Sequence, residues 1–230
     1  MDKRITELVF ILDKSGSMER IRGATITNFN ELLDAQKADA HGDEARISVY
    51  SFNQALDKVC FRAPLDEARP LTEETYVPNG MTALNDAVCT ALNEITDAEK
   101  DNLAKERKIV HIVCIITDGL ENASKEYNGQ TVKKLVEDLR KQGWTFTYMG
   151  ANQDSVEVAF TLSIRNARNF DYSEDGAMYA MAKDTSTRME LFSRIHNFRM
   201  ENQEVDACMS NEERNELYAS MADEAFDEIQ

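Results

Sequence analysis

The chain has 230 residues, 42% of them hydrophobic and 30% charged, which is enough for one full core with an appendage. Its formal charge of −16 excludes the basic surface that nucleic acid or an anionic membrane requires, so neither is an expected partner. The excess is uneven, because residues 201–230 carry ten acids against a single base, Arg214.

Lys3 and Arg4 precede an apolar stretch too short for a signal-peptide core, and no window reaches the length of a membrane-spanning helix. That stretch, Leu8-Val9-Phe10-Ile11-Leu12, has the pattern of a parallel strand buried on both faces. Asp13-Lys14-Ser15-Gly16-Ser17 follows at once, with oxygen-bearing side chains at alternate positions and Gly16 expected to turn the backbone tightly between the serines. Such oxygens suit magnesium, calcium or manganese and suit zinc poorly.

Ile21, Ala24, Phe29, Leu32 and Leu33 place a helix over 21–36. Residues 45–52 read as a strand, with 58–62 its hairpin or edge partner, and 63–78 holds all three prolines and reads as loop. Thr82 opens a helix over 83–102 after the turn Asn79-Gly80-Met81. The strongest strand is 109–116, followed by Thr117, Asp118 and Gly119; the charged run 99–108 before it reads as a solvated helix end. An amphipathic helix over 131–141 ends near Gly143, where a C-terminal glycine belongs. A strand over 144–149, a short helix over 154–162, a short strand over 166–170 and a long helix over 175–198 complete the body.

These elements give a domain over 1–200 and an acidic extension over 201–230, helical or disordered, in which Leu217, Tyr218, Met221 and Ala225 have helical spacing. The extension fits a solubiliser, a docking segment, an internal ligand or a helix packed on the body. The four cysteines are scattered without a C-x-x-C pair, and Cys114 sits in an apolar run, which favours reduced thiols and a cytoplasmic location. His111 reads as a satisfied core residue, His41 as part of a polar loop, and His196 as ending the long helix.

Alternating strands and helices define an α/β fold: a Rossmann-like, doubly wound, mostly parallel sheet of about six strands flanked by helices. Ligands of such sheets bind beyond the carboxyl ends of the strands. Asp13, Ser15 and Ser17, then Thr82, then Asp118 occupy three loops expected at that edge. Taken singly, each has a plain reading as an Asx turn, a helix cap or a strand-end turn; taken together, they point to one site. Asp86, one helical turn past Thr82, and Glu121 are candidates for support around it, with plain surface exposure favoured for Glu121.

The strings Phe10-Ile11-Leu12-Asp13-Lys14-Ser15-Gly16-Ser17-Met18, Asn79-Gly80-Met81-Thr82-Ala83-Leu84 and Ile115-Ile116-Thr117-Asp118-Gly119 resemble the von Willebrand factor type A domain, and look closer to its intracellular bacterial or phage members than to animal adhesion proteins. The resemblance implies a metal-ion-dependent adhesion site, with Ser15, Ser17 and Thr82 offering hydroxyls and Asp13 and Asp118 acting directly or through water. It further implies Mg2+, with Mn2+ or Ca2+ as alternatives, an Asp or Glu carboxylate from a protein partner as the remaining ligand, and no catalysis. By family analogy the partner is an ATPase, a kinase or a phosphatase.

The competing reading is a phosphohydrolase of the haloacid-dehalogenase type with Asp13 as nucleophile. That chemistry wants a second acid two residues on, where this chain has Ser15.

Overall fold

The computed structural model describes residues 5–39, 44–100, 109–151, 154–164, 166–170 and 173–227. Six strands form one sheet in the order β3-β2-β1-β4-β5-β6: β1 (Ile5–Asp13), β2 (Glu44–Phe52), β3 (Leu56–Pro64), β4 (Ile109–Thr117), β5 (Thr145–Ala151) and β6 (Asn166–Phe170). All neighbours are parallel except β2 and β3. Three residues separate that pair, too few for a crossover, so only a hairpin is sterically available.

The central strand β1 buries both faces, as its unbroken apolar run requires. Leu8, Phe10 and Leu12 join one core with Ile112, Cys114 and Ile116 of β4. Val9 and Ile11 join the other with Val113 and Ile115. The helices α1 (Arg22–Asp39), α5 (Glu174–Glu201) and α7 (Asn211–Asp227) supply the first core. The helices α2 (Leu84–Lys100), α3 (Gly129–Lys141) and α4 (Asp154–Thr161) supply the second. The short helix α6 (Gln203–Cys208) links α5 to α7, whose Tyr218, Ala222 and Ala225 are buried in the core beside Leu191 and Ile195.

β1 starts three residues before the apolar run because Glu7 is buried inside the sheet. Its carboxylate accepts from Ser48 Oγ at 3.0 Å and from Arg62 Nε at 3.1 Å. Glu99 corrects a second expectation. It is largely buried instead of solvated, lying 2.8 Å from His111 Nε2 and 3.5 Å from Arg62. His111 is a satisfied core residue, stacked on Trp144 with ring centroids 3.8 Å apart. Residues 101–108, His41 and the side chain of His196 lie outside the described residues. Gly143 ends α3 at φ 90°, while the Trp144 N–H closes on the Leu139 carbonyl at 3.1 Å.

Candidate metal centre

β1 and β4 are adjacent, and the chain leaves them toward opposite halves of the sheet. Their carboxyl ends therefore border the crevice where an α/β sheet takes its ligands. Asp13 is the last residue of β1, and Asp118 follows the last residue of β4. Thr117 Oγ1 donates to Asp13 Oδ2 across this crevice at 2.6 Å. Asp13 Oδ1 accepts the Ser15 N–H at 2.6 Å, which folds the loop back over the strand end.

The predicted oxygen residues meet at this edge. Ser15 Oγ lies 3.1 Å from Ser17 Oγ, and Ser17 Oγ donates to Asp118 Oδ1 at 2.7 Å. Thr82 joins them around Gly119. A Cβ on that glycine would stand 3.0 Å from Thr82 Oγ1, 3.5 Å from Ser17 Oγ and 3.8 Å from Asp13 Oδ2. Gly119 thus leaves a small space ringed by oxygens from three loops, a feature its place in a plain Asp-Gly turn did not reveal. Ser17 is exposed at its mouth, while Asp13, Ser15, Thr82 and Asp118 are buried beneath.

The loops are bonded to one another as well as to the sheet. Gly16 N–H donates to the Gly80 carbonyl at 3.0 Å, and Asn79 N–H donates to the Lys14 carbonyl at 2.8 Å. The Tyr76 hydroxyl donates to the Asp13 carbonyl, and Lys14 pairs with Asp57. Gly16 opens a tight 3-10 turn over Gly16–Ile21, while positive φ falls on Gly80, at 78°.

Asp86 and Glu121 do not reach the ring of oxygens; each secures the backbone behind it. The Asp86 carboxylate accepts the N–H groups of Lys125, Glu126 and Tyr127 at 2.7, 3.0 and 2.8 Å. Glu121 is not plainly exposed. It accepts from the N–H groups of Asn85, Ala123 and Ser124 at 2.9, 2.9 and 2.7 Å, capping the start of α2. Asn122, which sequence reasoning passed over, holds Thr82 directly. Its Oδ1 accepts the Thr82 N–H at 2.9 Å, and its own N–H donates to the Thr82 carbonyl at 3.0 Å.

Burial pushes the Asp13 carboxyl up to about 6, and the neighbouring Asp118 charge adds to the rise, against hydrogen bonds from Thr117 and Ser15 that lower it. Two carboxylates this close, with three hydroxyls, make a site short of positive charge. Among the described residues no three His, Cys, Asp or Glu side chains cluster around a point. The side chains of Asp13, Ser15, Ser17, Thr82 and Asp118 offer only oxygens, three of them hydroxyls, which suits a small divalent cation.

Fold and site together define a doubly wound α/β domain with an oxygen-lined crevice at its switch point. The family model for the von Willebrand factor type A domain matches residues 7–183, and the chain belongs to that family. The match ends within α5, so α6 and α7 lie beyond it. No curated protein sequence matches the chain.

Among solved structures, a von Willebrand factor type A protein from Catenulispora acidiphila is 16% identical with a TM-score of 0.55, covering 82% of this chain and 43% of its own. Proximal thread matrix protein 1 from the mussel byssus, with a zinc-occupied metal-ion-dependent adhesion site, is 15% identical with a TM-score of 0.54, covering 81% and 46%. The manganese-loaded TRAP protein of Plasmodium vivax is 14% identical with a TM-score of 0.50, covering 77% and 72%. The chain spans less than half the length of the mussel protein.

These likenesses show the fold, and the phosphohydrolase alternative finds no support among them. In the mussel protein the metal-ion-dependent adhesion site holds zinc. Domains of this family are generally non-catalytic modules of metal-dependent protein interaction. Among the described residues no helix is long and apolar enough to cross a membrane.

Proposed function

We propose that the chain is a non-catalytic adaptor that captures a carboxylate of a protein partner through a divalent cation, Mg2+ first, held by Asp13, Ser15, Ser17, Thr82 and Asp118. The observation that carries this reading is the space beside Gly119, ringed by Thr82 Oγ1, Ser17 Oγ and Asp13 Oδ2. A cation bound there supplies Lewis acidity and an open coordination position. The chain's own residues do the rest. Ser15, Ser17 and Thr82 present neutral oxygens, so two carboxylates leave the charge of a divalent ion incompletely shared. Asn122, Glu121 and Asp86 hold the loops of Thr82 and Asp118 together, so the donors stand in place before the partner arrives.

Residues 1–200 form the binding unit in this reading, with 201–230 an acidic extension whose helix α7 packs on it. Cys60, Cys89, Cys114 and Cys208 are thiols outside any disulfide, in keeping with work in a reducing cytoplasm. The adaptor reading, with an ATPase, kinase or phosphatase as partner, rests on family analogy.

Asp13→Ala or Ser15→Ala is expected to keep the fold and abolish magnesium-dependent capture of the partner. Equal capture in excess chelator would overturn the proposal.

A further inference from the structure

Three large apolar side chains stand exposed on the loops of this site. Met81, immediately before Thr82, is 56% exposed. Leu120, immediately after Gly119, is 60% exposed, and Val77 lies in the same loop as Met81. An isolated exposed apolar residue needs no explanation, but Met81 and Leu120 adjoin Thr82 and Gly119, which meet at the site, and Val77 lies on the loop of Met81. Their backbone is already fixed. Met81 N–H donates to Gln54 Oε1 at 3.0 Å, and Asn122 ties the two loops at Thr82. Contact with a partner would therefore incur little cost of ordering the loops.

Charge gives the second half of the argument. Lys14, inside the Asp13–Ser17 loop, is engaged by Asp57, so attraction for a carboxylate falls to the cation. That attraction acts over about 8–10 Å at ordinary ionic strength. The chain as a whole carries −16 and repels a polyacidic segment.

We propose that Met81, Leu120 and Val77 select a partner segment in which one carboxylate is flanked by apolar side chains, with no further acids beside it. The inference rests on the cation-dependent reading above. The carboxylate meets the ion, its apolar neighbours meet the rim, and a run of acids is rejected by the field of the molecule.

The test uses the full chain and synthetic decapeptides, each with a central Glu flanked by Leu, by Ser or by further Glu, followed by fluorescence anisotropy with and without Mg2+. The Leu-flanked peptide is expected to bind about tenfold or more tightly than either other peptide, a difference that burial of two modest apolar contacts supplies. Met81→Ser and Leu120→Ser should each reduce that preference about fivefold, and Leu120→Met should retain it. Both serine variants should bind Mg2+ by calorimetry as the parent does, since neither side chain is among the donors. Equal affinity for the three peptides, or a preference unmoved by either serine variant, overturns this inference while leaving the metal reading standing. Absence of Mg2+ binding to the unmodified chain, or peptide binding unchanged in chelator, overturns the metal reading and this inference with it.

Discussion

Asp13 carries the tension of the site in one side chain. It is buried at a strand end beside a second carboxylate, and its carboxyl is raised from 3.8 to about 6, first by burial. A raised folded value means that the protonated form favours the fold. That stability is fully present below pH 3.8 and is lost as the pH climbs through about 6. Asp13→Asn removes the charge and keeps one acceptor, for the Ser15 N–H, while its amide NH2 donates to Thr117 Oγ1, whose own proton has the Gly119 carbonyl as acceptor. In chelator, the variant is expected to match the parent near pH 3.5 and exceed it by up to about 3 kcal/mol at pH 7, by denaturant titration. A parent and variant of equal stability at pH 7 would contradict this. With metal present the order reverses, because the ionised Asp13 then has its counter-charge. By the same linkage, Mg2+ affinity should fall about tenfold per unit as the pH drops below about 6.

At the scale of elements, the site depends on how the start of α2 is stapled to the loop between β4 and α3. Asp86→Ala strips the acceptor from three backbone N–H groups and should cost about 1–3 kcal/mol. Because Asp118 begins that loop, the variant should also bind Mg2+ more weakly. Hydrogen exchange should rise first at residues 125–127, and protection unchanged there would refute the staple.

This scale also shows what the sequence could reveal. The apolar runs of β1 and β4 and the helical stripe of α2 are plain in the sequence, so the switch point and the loops of the five oxygen residues could be placed from the expected topology, with their roles coming from the family resemblance. Glu7, Glu99 and Glu121 could not be. Glu7 and Glu99 are satisfied by partners distant in sequence, Glu121 by Asn85 as well as by its neighbours Ala123 and Ser124, and hydropathy marks all three as surface. Arg62 answers both Glu7 and Glu99 from β3, at a positive φ of 47°, which no local pattern suggests.

For the whole molecule, the acidic C-terminal segment is part of the folded body as far as Asp227. Arg214 Nε donates to the buried Asp206 carboxylate at 2.9 Å, and Arg199 Nε donates to the Tyr218 hydroxyl at 3.0 Å, joining α5, α6 and α7. Ten acids in residues 201–230 suggested solvation, but the apolar spacing of Leu217, Tyr218, Met221 and Ala225 governs where α7 lies. A chain ending at residue 202 would expose the core at Leu191 and Ile195. It is expected to melt well below the full chain and to bind a hydrophobic dye. An unchanged melting temperature would show that α7 contributes nothing to the body.

The most direct measurement is calorimetric titration of Mg2+ into the metal-stripped chain at pH 7.5, beside the Ser15→Ala/Ser17→Ala double variant. The account predicts one saturable site per chain, lost in the double variant while its circular dichroism and apo melting temperature stay those of the parent. Saturable binding of equal strength in both proteins, or none in the parent, would contradict it.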